Sequence, residues 1–176
     1  MNRKLKLWEL GRVTEEEFKA QEKFPITVVL DNIRSLNNVG TFFRTSDAFN
    51  VEEIILCGIT GTPPHREINK TAIGATESVK WTYVEDVNEA VAALQAKGVK
   101  VCAIEQTEET HFLNQMDIDL NQAYALVFGN EVDGVQQSII DVADYVIEIP
   151  QFGTKHSLNV SVCAGVCLWE FVRGRK

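Results

Sequence analysis

Short apolar runs alternate with amphipathic stretches along most of the chain. The runs are rich in β-branched residues and are bounded by Gly, Pro, Asn or Asp, which is typical of buried strands. They predict strands at residues 26–30, 53–58, 79–84, 99–104, 124–129 and 145–149. Helical periodicity and a Thr-x-x-Glu capping box predict helices at 14–23, 38–49, 86–97 and 135–143. This alternation predicts an α/β fold, a mostly parallel sheet with helices on both faces. We expect a single domain, residues 25–176, after a short helical extension, residues 1–24.

The last predicted helix, residues 157–173, differs from an ordinary surface helix. Apolar residues surround almost its whole circumference, Trp169 and Phe171 among them. A helix that is apolar all round is buried on more than one side. Either the domain itself covers the helix, or a second copy of the chain covers its outer side. We expect the second, a homodimer formed through the C-terminal helix.

Composition sets the broad class. The chain has 176 residues, of which 45% are hydrophobic and 24% charged, as in a soluble domain. No apolar run reaches the roughly 20 residues that span a membrane, and the N-terminus lacks the apolar core of a secretory signal. We therefore expect a cytoplasmic protein without a membrane partner. The net charge of −8 is not typical of a nucleic-acid-binding protein. Basic residues nevertheless cluster in three places: Arg3, Lys4 and Lys6; Arg66 and Lys70; Arg173, Arg175 and Lys176.

Several common chemistries lack their signatures. There is no GxGxxG, GxxxxGK[ST] or GxSxG motif. This argues against dinucleotide dehydrogenases, P-loop NTPases and Ser hydrolases with a nucleophile elbow. The three His residues are scattered, and no metal site is expected. The four Cys residues lie in apolar stretches and are expected to be reduced and buried.

Three segments that follow predicted strands are rich in Gly, Asn, Glu and Ser, and one of them carries an Arg. They are residues 30–49, 127–135 and 147–165. In parallel α/β sheets, ligands bind beyond the carboxyl ends of the strands and at helix N-termini. Such Gly-rich segments suit a cofactor held largely by main-chain groups, with little acid–base equipment.

In these three segments the sequence resembles the SpoU/TrmH family of the SPOUT superfamily. The first family motif matches Asn38, Gly40 and Arg44. The second matches Gly129, Asn130, Glu131 and Gly134, and the third matches Ile149, Pro150, Gly153 and residues 157–161. The motifs occur in the family's order, and the resemblance covers about residues 25–172.

The resemblance implies a fold, a reaction and partners. It implies a deep trefoil knot in the C-terminal segment, whose loops hold S-adenosylmethionine in a bent pose. It implies methyl transfer to a ribose 2′-hydroxyl of tRNA or rRNA by a homodimer. In that reaction the hydroxyl oxygen displaces the methyl group of the sulfonium in line, so the enzyme mainly aligns donor and nucleophile.

The resemblance also implies roles for individual residues. The catalytic candidates are Arg44, Asn38, Glu131, Ser157 and Asn159. The cofactor-binding candidates are Gly129, Asn130, Glu131, Ile149, Gly153, Ser157 and Leu158. Arg44, together with Arg66 and Lys70 in a predicted loop, is expected to contact RNA.

The residue types leave alternatives open for several of these positions. Arg44 is either the base or a phosphate anchor, and we favour the anchor because Arg resists losing its proton; a surface pair with Asp47 is the plainer interpretation. Asn38 is expected to cap its helix and, as the resemblance implies, to orient Arg44; capping alone is the plainer interpretation. Ser157 and Asn159 are capping candidates at the start of the last helix. Glu131 either holds Arg44, faces the cationic donor, or is a solvated charge.

Two other functional classes remain open from the sequence. The first is a non-catalytic protein that binds RNA or the cofactor and keeps the fold. The second is a flavodoxin-like small-molecule enzyme, which the acidic charge favours.

Overall fold

The computed structural model describes residues 2–175. Met1 and Lys176 belong to the predicted extension and to the C-terminal basic cluster, and both lie outside the described residues. Within that range, seven strands form one sheet in the order β3-β2-β1-β6-β4-β7-β5. Every ladder in it is parallel. The strands are β1 Phe24–Asp31, β2 Val51–Cys57, β3 Trp81–Val84, β4 Lys100–Ile104, β5 His111–Phe112, β6 Tyr124–Gly129 and β7 Tyr145–Glu148.

Helices precede, connect and follow these strands. They are α1 Glu15–Ala20, α2 Leu36–Ala48, α3 Arg66–Ala72, α4 Ala75–Ser78, α5 Val87–Ala96, α6 Gln137–Ile140 and α7 Val160–Val172, with 3-10 turns at Leu7–Glu9 and Leu113–Gln115. The six predicted strands and five predicted helices are confirmed, with shifted ends. The short elements β5, α3 and α4 were not predicted, because two to seven residues are too few to show a periodicity.

Alternate residues of the central strands build two apolar cores, one on each face of the sheet. Val28 and Leu30 of β1 point into the larger core, beneath α2, α3 and α7. Val29 points into the smaller core, beneath α5 and α6. The prediction of helices on both faces is therefore confirmed. In the larger core the rings of Phe42 and Phe128 meet edge to face, 5.2 Å apart.

The extension before β1 packs on the domain. Thr14 and Glu17 form the predicted capping box at the start of α1. Phe18 of the same helix is buried in the larger core. The boundary at residue 25 stays a prediction.

Helix α7 divides sharply into a buried and an exposed side. Cys167, Leu168 and Phe171 are fully buried. Val162, Val166 and Trp169 are 55%, 41% and 57% exposed, and their spacing places them on one stripe. The alternative in which the domain itself covers the outer side of α7 is therefore wrong for this chain.

Candidate functional site

The carboxyl ends of the central strands bring the three candidate segments together. Asp31, the last residue of β1, is the register partner of Gly129, the last residue of β6. Because β7 lies one strand beyond β4 in the same parallel sheet, its carboxyl end opens at the same edge. The loops that follow these strands therefore share one side of the molecule.

A cleft of about 1480 Å³ lies between these loops. Its walls come from residues 104–109, 128–135, 137, 140, 146–149, 151 and 156–160, with Cys163 of α7. Of the predicted cofactor-binding residues, six line the cleft: Gly129, Asn130, Glu131, Ile149, Ser157 and Leu158. Gly153 is exposed and does not line the cleft, and a side chain there would meet no atom within 4 Å apart from its chain neighbours.

Glu131 holds the N-terminus of α2. Its carboxylate accepts hydrogen bonds from the backbone amides of Arg34 and Ser35, at 3.1 and 3.2 Å, and from the side-chain amide of Asn38, at 2.7 Å. Partial burial alone would raise the pKa of Glu131, but these donors outweigh it and lower the pKa. No ion pair joins Glu131 to Arg44 among the described residues, so the interpretation of Glu131 as a holder of Arg44 is wrong.

Asn38 connects α2 with α7. Its side-chain oxygen accepts hydrogen bonds from the Asn159 amide, at 3.3 Å, and from the Ser161 hydroxyl, at 3.5 Å. The predicted capping role of Asn38 is wrong, because α2 begins earlier and Ser35 is its N-cap. A serine three residues before Asn38 satisfies the helix end and leaves the Asn38 side chain free for these longer-range contacts.

The start of α7 agrees with half of its capping prediction. Asn159 is the N-cap, and its side-chain oxygen accepts from the amides of Ser161 and Val162. Ser157 is wrong as a cap, because the helix begins at Val160 and Ser157 lies in the preceding loop. Ser157 does line the cleft.

Close backbone packing shapes the loop that follows β6. A side chain on Gly129 would overlap the backbone of Gly134 and Val135. Gly134 itself has a φ of +71°, and a side chain there would overlap the Glu105 carboxylate. The side-chain oxygen of Asn130 accepts from two amides further along the loop, at 2.8 Å each. These glycines therefore serve the turn itself.

Two carboxylates that the sequence analysis missed fasten the far end of this loop. Glu105 accepts from the Val135 amide at 3.0 Å. The fully buried Asp31 accepts from the Gln136 backbone and side-chain amides, at 3.0 and 2.8 Å. Both residues directly end or follow a buried strand, which is the signal that could have identified them.

Arg44 is exposed on α2, one turn beyond Gly40. The alternative of a pair with Asp47 is wrong, because the Asp47 carboxylate accepts from the Ser78 hydroxyl at 2.6 Å and no Arg44 pair occurs in residues 2–175. Arg66 and Lys70 lie on α3 rather than in the predicted loop. Helix α3 is the neighbour of α2, which carries Arg44. The two helices pack so closely that a side chain on Gly40 would overlap Thr71 and Ile68.

The cleft and the α2–α3 surface carry opposite charges. The carboxylates that line the cleft belong to Glu105, Glu108, Glu109, Glu131, Asp133 and Glu148. No Lys or Arg occurs among the described residues that line it. In residues 2–175, no cluster of three or more His, Cys, Asp or Glu side chains is arranged as a metal site. Nor does any helix in that range have the length and apolar character needed to cross a bilayer.

Residues 25–169 match the family model described as the SpoU rRNA Methylase family. The chain belongs to this family. The resemblance of the three motifs to SpoU/TrmH proteins is thereby confirmed, and the flavodoxin-like alternative is wrong.

Members of the SpoU family that act on both major classes of stable RNA resemble the chain. It is 36% identical over 160 residues to the 23S rRNA (guanosine-2′-O-)-methyltransferase RlmB of Vibrio cholerae, covering 91% of this chain and 64% of that protein. It is 34% identical over 163 residues to the tRNA (guanosine(18)-2′-O)-methyltransferase of Thermus thermophilus, covering 91% and 80%. The chain thus spans somewhat less than two thirds of the length of the first relative.

Solved structures of SpoU-type proteins share the fold. The TrmH/SpoU tRNA modifying enzyme of A. aeolicus superposes with a TM-score of 0.80 at 27% identity, covering 92% of this chain and 80% of that one. The AdoMet-bound rRNA methyltransferase of Sinorhizobium meliloti superposes with a TM-score of 0.81 at 27% identity, covering 88% and 58%.

Proposed function

We propose that this protein transfers a methyl group from S-adenosylmethionine to a ribose 2′-hydroxyl of tRNA or rRNA. One observation carries the proposal: an acidic cleft, with no Lys or Arg in its described lining, is joined through Glu131 and Asn38 to the helix that presents Arg44. A cationic donor and a polyanionic acceptor require surfaces of opposite charge, and this chain has both next to each other. The reactions in the relatives' names support the proposal and not the non-catalytic alternative.

The cleft fits this cofactor chemically. Its carboxylates favour a positively charged sulfonium. Because no Lys or Arg occurs in its described lining, cofactors that carry phosphates are disfavoured. Ile149 and Leu158 supply apolar wall, while Gly129, Asn130 and Ser157 bring main-chain groups to the cleft. We expect these residues and Glu131 to hold the cofactor.

The residues of the chain then have distinct tasks in the reaction. The bound donor supplies a methyl group already activated by its positive sulfur, so the protein mainly aligns the attacking hydroxyl. Arg44 binds a phosphate beside the target ribose and keeps its proton, since a guanidinium resists deprotonation. Asn38, Glu131 and Asn159 orient α2 against α7, and Ser157 lies in the cleft wall near the reacting groups. The hydroxyl proton leaves to solvent or to a shared acceptor.

The RNA-binding surface that we propose consists of Arg44, Arg66 and Lys70. All three are exposed on the packed pair α2 and α3. Lys70 is only weakly engaged by Glu67, at 3.9 Å. Three cations on one surface would let an acidic chain bind phosphates locally while its remaining charge stays away from the RNA.

We further propose a homodimer through α7, a C-terminal trefoil knot and a cytoplasmic location. The exposed stripe of Val162, Val166 and Trp169 supports the dimer, since a second copy would remove this apolar surface from water. The superposition with TrmH/SpoU structures supports the knot. The tRNA and rRNA substrates in the relatives' names support the location.

Two measurements test the function. Calorimetry in a chelator should detect binding of S-adenosylmethionine, and its affinity should fall with added salt more than that of the uncharged-sulfur product S-adenosylhomocysteine. Labelled methyl transfer to total tRNA and to rRNA, followed by mapping of 2′-O-methyl positions, should identify the substrate. Binding that needs millimolar cofactor, or that vanishes with the chelator, would contradict the proposal.

A further inference from the structure

The chain between β7 and α7 differs in charge from the two other loops that wall the cleft. This rim segment, residues 149–159, contains no Asp or Glu and carries Lys155 and His156. By contrast, residues 104–109 contribute three carboxylates to the cleft and residues 128–135 contribute two. Of the three loops, the rim segment is therefore the one that a polyanion approaches with the least repulsion.

Phe152 lies in the rim segment, at the entrance of the cleft. Its side chain is 97% exposed. Gln151 before it and His156 after it line the cleft, whereas Phe152 and Lys155 do not. A single exposed apolar side chain is common on protein surfaces, so exposure alone assigns no role. The position of Phe152 is more informative, because the ring and a lysine stand in solvent directly beside the opening that a substrate must pass.

The rim segment is joined to the helix that presents Arg44. It ends at Asn159, whose side-chain amide donates to Asn38 of α2 at 3.3 Å. Arg44 lies six residues beyond Asn38 on the same helix, about 9 Å along its axis. Like Arg44, Lys155 is exposed and forms no ion pair within residues 2–175. An RNA strand with a phosphate at Arg44 and a ribose in the cleft therefore passes the rim segment.

An exposed ring next to an unpaired cation is a combination that binds single-stranded nucleic acid. Every base has a flat face that stacks on an aromatic ring, and a lysine beside the ring neutralises a backbone phosphate. A paired base offers no such face, because its neighbours in the helix cover it. We propose that Phe152 stacks on an unpaired base next to the methylated nucleotide and that Lys155 contacts a phosphate of the same strand. This inference rests on the proposed function and narrows its substrate to unpaired segments of tRNA or rRNA.

A second copy of the chain is a poorer occupant of this site. Gln151, Gly153 and Thr154 flank Phe152 in sequence, and all three are at least partly exposed. An interface between copies needs a contiguous apolar area, such as the stripe on α7. A lone ring among polar and small residues suits a partner that presents one flat surface at a time, and a nucleobase is such a partner.

The first test measures RNA binding without cofactor, over a range of salt concentrations, with total tRNA and total rRNA as probes. Phe152→Ala should weaken binding about tenfold, the size of one lost base–aromatic contact. The slope of log Kd against log salt should stay unchanged, because the ring neutralises no phosphate. Lys155→Ala should reduce that slope by about 0.7, the value for one phosphate of a single strand. Phe152→Trp should restore the affinity, since indole also stacks on bases.

The second test separates RNA binding from the reaction. In methyl transfer, Phe152→Ala should raise the KM for RNA about tenfold. It should leave kcat and the affinity for S-adenosylmethionine within threefold, because Phe152 does not line the cleft. Tyr83→Ala is the matched control, because Tyr83 is an exposed aromatic residue of β3, at the edge of the sheet farthest from β7. Its RNA affinity should stay within twofold of the wild-type value.

Several outcomes would overturn the stacking role of Phe152. They are an unchanged RNA affinity in Phe152→Ala, an altered salt slope in that variant, and no restoration by Phe152→Trp. A changed oligomeric state of Phe152→Ala in light scattering would also overturn it and assign the ring to a contact between copies. If the wild-type chain binds RNA but transfers no methyl group, the proposed function fails while the binding comparison still decides on Phe152. If it binds neither RNA, both fail.

Discussion

The side-chain amide of Asn38 donates a 2.7 Å hydrogen bond to the carboxylate of Glu131, 93 positions further along the chain. Through this bond the first turn of α2 is tied to the loop after β6, and the same Asn38 accepts from Asn159 at the start of α7. The three motif segments therefore meet in one hydrogen-bonded network. The network borders the cleft. Because its hydrogen bonds join the three segments, a substitution in one segment should disturb the positions of the other two.

The first prediction concerns the carboxylate of Glu131. Glu131→Gln should lower the free energy of unfolding by about 1 kcal/mol at pH 7, the size of a lost helix cap. Hydrogen bonds lower the pKa of Glu131 in the folded chain, so its contribution is complete above the ordinary range of a glutamate and disappears as the pH falls through the lowered value. Urea unfolding of both proteins between pH 7 and pH 3 measures this. A difference that does not shrink toward pH 3 would mean that the charge of Glu131 is not involved.

The second prediction separates positioning from cofactor binding. Arg44→Ala should reduce kcat about a hundredfold or more, because a phosphate contact made in the transition state is lost. Cofactor affinity should stay within a few-fold, since Arg44 does not line the cleft. Arg44→Lys should restore little, because an ammonium lacks the planar fork that grips a phosphate.

Lys97→Ala is the matched control for Arg44→Ala. Lys97 is also exposed, but it follows α5 on the opposite face of the sheet. Its removal should leave turnover within twofold. Near-normal turnover of Arg44→Ala on the natural RNA would refute the role given to Arg44, and weaker cofactor binding with normal kcat would assign Arg44 to the donor site.

The third prediction concerns assembly. Trp169→Glu should convert the proposed dimer to monomer at micromolar concentration, since an apolar interface rejects an unpaired charge. Val142→Glu is the control, because Val142 is similarly exposed but lies after α6 on the other face. Light scattering coupled to size exclusion measures both. A wild-type chain that elutes as a monomer would refute the dimer.

The fourth prediction concerns the contact between α2 and α3. Gly40→Ala should destabilise the fold by about 1–3 kcal/mol, because the added methyl group overlaps Thr71 and the Ile68 carbonyl and overpacking forces the backbones apart. Gly153→Ala, where no atom lies within 4 Å, should change stability by no more than about 0.5 kcal/mol. Thermal unfolding of the two variants compares them directly. Equal stability of the two would show that α3 can shift without cost.

Local patterns were sufficient for the framework of the fold. The apolar runs at 26–30 and 124–129 identified two central strands, and the cap at Asp86 identified α5. They did not identify partners distant in sequence. The role of Asn38 depends on Ser35 taking over the cap and on Glu131 arriving from another strand end, and neither follows from the residue type. Asp31 and Glu105 were missed for the same reason, since their amide partners lie on a loop that only the folded sheet brings near.

The parallel register of β1 with β6 has a consequence for how the chain folds. Val28 pairs with Ile54 on one side and with Leu126, about a hundred residues later, on the other. The half of the sheet made by β1, β2 and β3 can form early from neighbouring segments, whereas β4, β7 and β5 join it only through β6. Pairings so distant in sequence carry a large loop-closure cost and slow the search for the native state. During synthesis, the first half must therefore wait with one edge of β1 open until β6 has left the ribosome.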